Sequence, residues 1–286
     1  ENISFIPLFD ADFLGMHGVP AEIFNVNDPL TVSDHTLVGL YNVNSDVWDE
    51  TTVVKGGQGF ATIIHEVLHG LGLAHPHDNG GGSLIFPGVT DSFESYGEFD
   101  LNQEIYTVMS YNAGFPTFYG PTSPLVGNAS TPMAFDIAAL QYIYGANMSH
   151  NTGNNIYYLP SIIEAGTSWE SIWDAGGEDT ISATNASDWA LIQLEDAKLV
   201  GPSAGGEISN VNDVVGGFTI ANSVIIENAI GSSFSDSIGG NAYSNKLKGE
   251  AGDDLIYGGG GTDYIWGGTG ADTFLFGQND FYSYGV

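Results

Sequence analysis

The sequence of 286 residues contains no cysteine and no arginine, and it has only four lysines. Without cysteine, the chain can form neither a disulfide bond nor a thiolate nucleophile or metal ligand. Its 35 acidic residues give a net charge of −31. Because like charges repel, this charge argues against nucleic acids and anionic membrane surfaces as partners. The excess of carboxylates suits hard divalent cations instead, above all calcium.

The chain also lacks a run of apolar residues long enough to span a bilayer. Its first residues, Glu1 to Ile6, lack the basic and apolar regions of a signal peptide. We expect that a signal peptide has been removed or that export uses another route. Hydrophobic residues still make up 42% of the sequence, which is enough for packed cores and argues against general disorder.

Two kinds of sequence meet near residue 150. Before it, apolar residues at helical spacing predict one helix over about residues 58–71. Pro132 near a first turn and Gly145 after the end predict another over residues 132–144. After it, Gly, Asn, Asp and Ser alternate with short apolar runs, and helical periodicity is weak. We therefore predict an α+β protein with two domains, residues 1–150 and residues 151–286.

A period of nine residues starts at Gly231 and runs through five units. Each unit begins with glycine and has an apolar residue at its eighth position; the sixth positions are Asp236, Asn245, Asp254, Asp263 and Asp272. Glycine permits a tight turn, and the sixth-position carboxylate with turn carbonyls offers hard oxygen ligands to calcium. The pattern predicts RTX repeats wound into a parallel β-roll that folds poorly without calcium. The unbroken register argues against the alternative, a flexible Gly/Asp-rich linker.

The first two units depart from the repeat pattern. Phe234 and Tyr243 stand at the fourth position, which is usually glycine, and Asn245 replaces aspartate at the sixth. We therefore predict that the first two turns bind calcium weakly or not at all. The turns of the last three units are the better calcium sites.

Residues 65–75 read HEVLHGLGLAH and contain a candidate metal site. His65 and His69 are four residues apart, so they share one face of a helix and can bind a single ion. Gly72 ends the helix, so that His75 can arrive as a third ligand and leave the fourth zinc position open, as catalysis requires. Glu66 would take a proton from the attacking water and pass it to the leaving amine. The alternative is a metal site without catalysis, and Glu66 argues against it.

The segment from Tyr106 to Tyr111 contains a methionine turn, with Met109 expected beneath the zinc site. A long histidine motif followed by such a turn is the metzincin signature. Together with the repeats, the chain resembles the serralysins, the RTX-bearing branch of the metzincin proteases. Further segments that carry this resemblance are residues 75–76 (HP), 109–111 (MSY), 133–147 (MAFDIAALQYIYGAN), 173–180 (WDAGGEDT) and 226–231 (IENAIG).

The resemblance implies zinc and calcium as cofactors, broad cleavage of extracellular proteins, and type I secretion from a Gram-negative bacterium. It implies that Tyr111 is an extra zinc ligand that moves away to hydrogen-bond the oxyanion when substrate binds. It also implies calcium ligands between the two domains at Asp174, Asp179 and Glu227. The predicted partners are protein or peptide substrates and a proteinaceous inhibitor, with no nucleic acid, no membrane insertion and a monomeric chain.

Compared with that family, the chain is short at both ends. The segment that precedes His65 is shorter than in the family, and the sequence stops soon after the last repeat. We therefore expect the first domain to lack its N-terminal part and the second its C-terminal part. The rival function is a catalytically inert fragment that acts as a calcium-binding secretion or adhesion module. A polysaccharide-modifying enzyme with an RTX tail is a weaker alternative, because it would not need the zinc motif.

Overall fold

In the computed structural model, the described residues are 48–120 and 123–276, together with the backbone of three earlier strands. These strands are β1 (Asn2–Leu8), β2 (Gly15–Gly18) and β3 (Thr36–Asn42). The central strand, β3, runs parallel to β1 and antiparallel to β2. Helix α1 (Gln58–Gly70), which carries the first histidines, contacts β2 and β3.

Helix α1 has the predicted start and ends within one residue of the predicted end. Gly72 follows it with a φ of +97°, in the left-handed region that favours glycine. The N–H of Leu73 then donates to the carbonyl of Leu68 at 3.0 Å, so the chain reverses directly after the helix. This reversal brings the segment after the helix back towards the helix face.

The remaining helices of the described residues lie between α1 and residue 144. Two short 3₁₀ segments cover Gly80–Gly82 and Glu98–Asp100, and they are followed by α2 (Pro116–Tyr119) and α3 (Ala134–Tyr144). Helix α3 starts two residues later than predicted. The reason is local, because the Asp136 carboxylate accepts the N–H of Met133 at 2.8 Å and makes Met133 the N-cap.

Asp136 also fastens α3 to the methionine turn. Its carboxylate accepts the hydroxyl of Thr107 at 2.6 Å and the N–H of Val108 at 2.8 Å, and it is only 1% exposed. Burial raises the pKa of this carboxyl to about 6. The turn joins a first hydrophobic core that consists of Leu68, Leu73, Ile105, Val108, Met109, Ala129, Met133 and Trp169.

We expect Asp136→Asn to lower the free energy of unfolding by about 3 kcal/mol, because all three partners donate and an amide NH₂ cannot accept. Chemical denaturation in the presence of calcium measures this. Asp213→Asn is the matched control, since Asp213 is exposed and its positive φ of 58° suits asparagine. Equal stability of the two variants would contradict this role of Asp136.

The second half of the described chain consists of short strands. They are β4 (Ile156–Tyr158), β5 (Trp169–Ile172), β6 (Thr180–Ser182), β7 (Ala190–Gln193), β8 (Ser209–Val211), β9 (Gly217–Ile220), β10 (Asn228–Ile230), β11 (Ser237–Gly239), β12 (Lys246–Ala251), β13 (Leu255–Tyr257), β14 (Tyr264–Thr269) and β15 (Thr273–Leu275). A five-stranded sheet has the order β14-β12-β10-β6-β4 and is parallel throughout. A seven-stranded sheet has the order β15-β13-β11-β7-β8-β9-β5, in which β8 is antiparallel to both neighbours.

Successive strands from β10 onwards alternate between the two sheets. Each of β10 to β13 pairs in parallel with the next strand but one, as in Asn228 with Lys246 and Ser237 with Leu255. Paired residues are separated by two of the nine-residue units, so the period of the sequence equals half the spacing of the pairing. The inward positions Ile238, Leu247 and Ile256 are at most 1% exposed and belong to a second hydrophobic core.

The eighth-position side chains become more exposed towards the end of the described chain. Ile265 is only half-buried, and Phe274 is 40% exposed. The last unit therefore has an apolar residue at its eighth position, as in the other units, but its side chain is exposed. Its strand, β15, is an edge strand among the described residues, so no further strand covers it there. No helix in the described part of the chain is long and apolar enough to cross a membrane.

Candidate metal and active site

Three histidines converge on one point at the end of α1. The Nε2 atom of His75 lies 3.2 Å from that of His65 and 2.9 Å from that of His69. His65 and His69 are one turn apart on the helix, and the reversal at Gly72 brings His75 to the same place. The structure thus brings together the three histidines that the motif predicts.

The hydrogen bond made by the other ring nitrogen, Nδ1, indicates where each imidazole carries its proton. The Nδ1 atoms of His65 and His69 each lie 2.8 Å from a main-chain carbonyl, those of Val108 and Leu73. The Nδ1 of His75 lies 2.6 Å from Oδ2 of Asp78. Because these partners only accept, each Nδ1 must donate, and in the neutral form of the rings the three Nε2 lone pairs face one another. Such lone pairs repel unless a cation lies between them, so the donor set fits zinc.

The surroundings keep the first histidine neutral. His65 is only 8% exposed. Burial lowers its pKa to about 3, and the neighbouring His69 and His75 contribute to this shift. A neutral imidazole is the form that binds a metal ion.

Glu66 follows His65 on the helix and is 5% exposed. Its Oε2 atom is buried and has no hydrogen-bond partner among the described residues. Burial raises the pKa of this carboxyl to about 7. A carboxyl with a pKa near neutrality can both accept and release a proton, which suits a general base that later acts as an acid.

Asp78 is a residue that our sequence reasoning missed. Besides His75, it accepts the N–H of Gly80 at 2.8 Å through Oδ1, so both oxygens of its carboxylate are held. The available signal was an acidic residue three positions after the last histidine of the motif. A carboxylate that orients a metal-binding histidine is a common arrangement.

We expect Asp78→Asn to weaken zinc binding about 10- to 100-fold, because His75 loses the charged acceptor that holds its ring and tautomer. Competition against a fluorescent zinc chelator measures the affinity. Asp91→Asn on the exposed surface should leave it unchanged. Zinc affinity that is the same in Asp78→Asn and in the unmodified chain would rule out this orienting role.

Tyr111 lies against the histidine cluster and is 39% exposed. Its ring centroid is 4.7 Å from that of His75, 4.6 Å from His77 and 5.8 Å from His65. Burial raises the pKa of its hydroxyl, and the nearby Glu66 adds to this. Met109 is 1% exposed in the first core, next to the Val108 carbonyl that binds His65. The zinc-related roles of both residues stay predictions.

The three carboxylates predicted from the resemblance as calcium ligands are neighbours. The N–H of Asp179 donates to Glu227 at 2.8 Å, and Asp174 accepts the Tyr157 hydroxyl at 2.6 Å. Burial raises the pKa of Asp179, and the charges of Asp174 and Glu227 raise it further. Asp179 is fully buried, and its Oδ2 has no partner among the described residues. A buried, unpartnered carboxylate oxygen beside other carboxylates fits a divalent cation.

The aspartates of the repeats fall into two groups. Asp236, Asp254 and Asp272 precede successive strands of the seven-stranded sheet. The N–H of Asp236 donates to Asp254 at 2.8 Å, and that of Asp254 to Asp272 at 3.2 Å. Asp254 is 1% exposed, and its Oδ2 has no partner in the described part of the chain. Asp263 precedes β14 of the other sheet and accepts the N–H of Asn245 at 2.9 Å.

Comparison with known proteins gives two kinds of similarity. The RTX calcium-binding nonapeptide repeat family matches residues 239–274 with four copies. The chain is 39% identical to a serralysin of Proteus mirabilis over 200 residues, 66% of this chain and 36% of that protein. It is 38% identical to serralysin C of Dickeya chrysanthemi, over 68% of this chain and 39% of that protein. It is also 38% identical to the metalloprotease AprA of Pseudomonas entomophila, again over 68% and 39%.

These similarities define the class, a metalloprotease sequence joined to RTX calcium-binding repeats. Within that class, the chain is similar to the serralysins over two thirds of its length, which confirms the resemblance found in its motifs. The predicted cofactors, zinc and calcium, are confirmed for a sequence of this type. The chain spans less than half the length of the curated relatives that it matches.

Proposed function

We propose that the chain is a secreted zinc-dependent endopeptidase that hydrolyses peptide bonds of extracellular proteins and is stabilised by calcium. One observation above all supports the catalytic part. Three histidine Nε2 atoms converge beside Glu66, whose buried carboxyl has an oxygen without a partner among the described residues. A purely structural zinc site would be expected to close with a fourth ligand instead.

His65, His69 and His75 would hold the zinc ion, which when bound polarises the scissile carbonyl and lowers the pKa of a water molecule. Glu66 would take a proton from the attacking water and deliver it to the leaving amine. The carbonyls of Leu73 and Val108 and the carboxylate of Asp78 keep the three rings oriented. For Tyr111, we propose the role of an additional zinc ligand that later hydrogen-bonds the oxyanion, with Met109 beneath the site.

For the architecture, we propose two domains, residues 1–150 and residues 151–286, with the second forming a parallel β-roll. The pairing of strands two repeat units apart supports the roll, since two nine-residue units make one full turn of such a structure. Its proposed calcium ligands are Asp174, Asp179, Glu227, Asp236, Asp254, Asp263 and Asp272.

The proposed setting is extracellular, with type I secretion from a Gram-negative bacterium. The proposed partners are protein or peptide substrates and a proteinaceous inhibitor, and we propose that the chain acts as a monomer. Similarity to the serralysins supports these proposals.

Casein hydrolysis in the presence of calcium tests the catalytic proposal. We expect cleavage that stops when 1,10-phenanthroline removes zinc and resumes when zinc is added back. Metal analysis of the purified chain should find one zinc ion per chain. A chain that binds zinc but leaves casein intact would contradict the endopeptidase proposal and favour the inert calcium-binding module.

A further inference from the structure

One turn of the repeats, residues 240–245, differs from the others because it has no carboxylate. Where the other four units have an aspartate at the sixth position, this one has Asn245, and Asn241 stands at its second position. Both side chains are buried, with exposed fractions of 1% for Asn245 and 4% for Asn241. Two uncharged amides therefore occupy the interior of a turn that elsewhere carries a carboxylate.

The two amides satisfy each other and the turn. The N–H of Asn241 donates to Oδ1 of Asn245 at 2.9 Å, and Nδ2 of Asn245 donates back to Oδ1 of Asn241 at 3.1 Å. The same Oδ1 of Asn241 also accepts the N–H of Tyr243 at 2.9 Å. The closure of the turn thus comes from the side chains themselves.

The NH₂ groups of both amides point at main-chain carbonyls outside the turn. Nδ2 of Asn245 donates to the carbonyl of Glu227 at 3.1 Å. Nδ2 of Asn241 donates to the carbonyls of Ile226 at 2.8 Å and Leu194 at 3.2 Å. Carbonyl oxygens of this kind are the hard ligands that calcium uses in proteins. In this turn, they are already occupied by N–H donors.

The contrast with Asp254 is direct. Asp254 stands at the same position of the next unit and is equally buried, yet its Oδ2 has no partner among the described residues. Burial raises its pKa, and the charges of Asp236 and Asp272 raise it further. The Asp254 turn has negative charge and a buried side-chain oxygen without a partner, whereas residues 240–245 carry no charged side chain and, in the described part of the chain, no such oxygen.

We propose that the turn of residues 240–245 binds no calcium, and that the paired amides of Asn241 and Asn245 stand in for the ion. The inference rests on the proposed calcium binding of the aspartate turns. The amides also link the repeats to earlier parts of the chain, because they hydrogen-bond the carbonyls of Leu194, Ile226 and Glu227, which precede the repeats in sequence. This turn therefore fastens the repeats to the rest of the domain whether calcium is present or not.

The first test uses the unmodified 286-residue chain and needs no variant. Hydrogen–deuterium exchange is measured by mass spectrometry with calcium and after its removal by EGTA. We expect exchange at residues 249–254 and 267–272 to rise more than about tenfold without calcium, as local opening becomes easier. Exchange at residues 240–245 should change less than about threefold. An equal rise in all three turns would overturn the proposal.

The second test exchanges asparagine and aspartate at the sixth positions of two successive units. We expect Asn245→Asp to bind one more calcium ion per chain, measured by equilibrium dialysis and atomic emission. In EGTA it should melt lower by about 3 °C or more, because a buried carboxylate then faces the Glu227 carbonyl. Asp254→Asn, the matched exchange, should lose one ion. An unchanged calcium count in Asn245→Asp would contradict the inference, whatever its melting temperature.

These outcomes separate the inference from the function on which it rests. If the unmodified chain binds no calcium at all, the calcium part of the proposed function is wrong. If it binds calcium and Asn245→Asp gains none, only the inference about the amides is wrong. Neither of these two conclusions depends on casein hydrolysis.

Discussion

Replacement of Glu66 by glutamine is expected to slow casein hydrolysis by about 10²- to 10⁴-fold, the usual contribution of a general acid–base group. The amide has nearly the same shape as the carboxyl, but it cannot take a proton from water or return one to the leaving amine. Since the three rings are held by Val108, Leu73 and Asp78 rather than by Glu66, their orientations should persist. Zinc content should therefore stay at the level of the unmodified chain.

The measurement is a steady-state comparison on one peptide substrate, with the metal content of each sample determined in parallel. We expect the loss in kcat with little change in KM, because a proton-transfer group acts in the transition state. Glu50→Gln is the control, since Glu50 is an exposed glutamate outside the histidine motif. Full activity in Glu66→Gln, or a loss that merely follows a loss of zinc, would rule out the assigned role.

The zinc motif could be predicted from the sequence because its geometry is local. Histidines four residues apart share a helix face whatever the rest of the protein does, and glycine at position 72 permits the reversal. The structure brings His65, His69 and His75 together as the spacing indicates. Helix α1 was predictable for the same reason.

The partners of the histidines could not be predicted in the same way. The carbonyl of Val108 reaches His65 from 43 positions away in sequence, and only the tertiary packing of the methionine turn brings it there. Nor does the sequence give the burial of Glu66 and its raised pKa, since both depend on what packs around the helix. Asp78 is local to the motif, so it was within reach of sequence reasoning but was missed.

For the repeats, too, the sequence predicts the local pattern but not the contacts that depend on tertiary packing. Their period predicts parallel strands, and the pairings between strands two units apart agree with it. The period does not reveal that Phe274 is exposed, because burial needs a neighbouring strand, and β15 has none on one side among the described residues. The asparagine at position 245 was recognised as a departure, but the amide pair that it forms with Asn241 required coordinates.

Removal of calcium is expected to have the largest effect on stability. Each site that is filled at about 100 times its Kd contributes about 2.7 kcal/mol. Loss of two such sites should therefore lower the melting temperature by about 10 °C or more for a chain of this size. The physical reason is that Asp254 and Asp179 are buried, each beside other carboxylates and each with an oxygen that lacks a partner among the described residues. Without a cation, these charges repel one another.

Thermal unfolding followed by circular dichroism, in millimolar calcium and in EGTA, measures the effect. Magnesium at the same concentration should restore little of the lost stability, because it demands a smaller octahedral site and dehydrates reluctantly. Asp254→Asn should melt higher than the unmodified chain in EGTA and lower in calcium, since it removes both the repulsion and a ligand. If calcium, magnesium and EGTA gave the same melting temperature, the carboxylates would have to be stabilised by the protein alone. The oxygens of Asp179 and Asp254 that lack partners in the described part of the chain argue against that outcome.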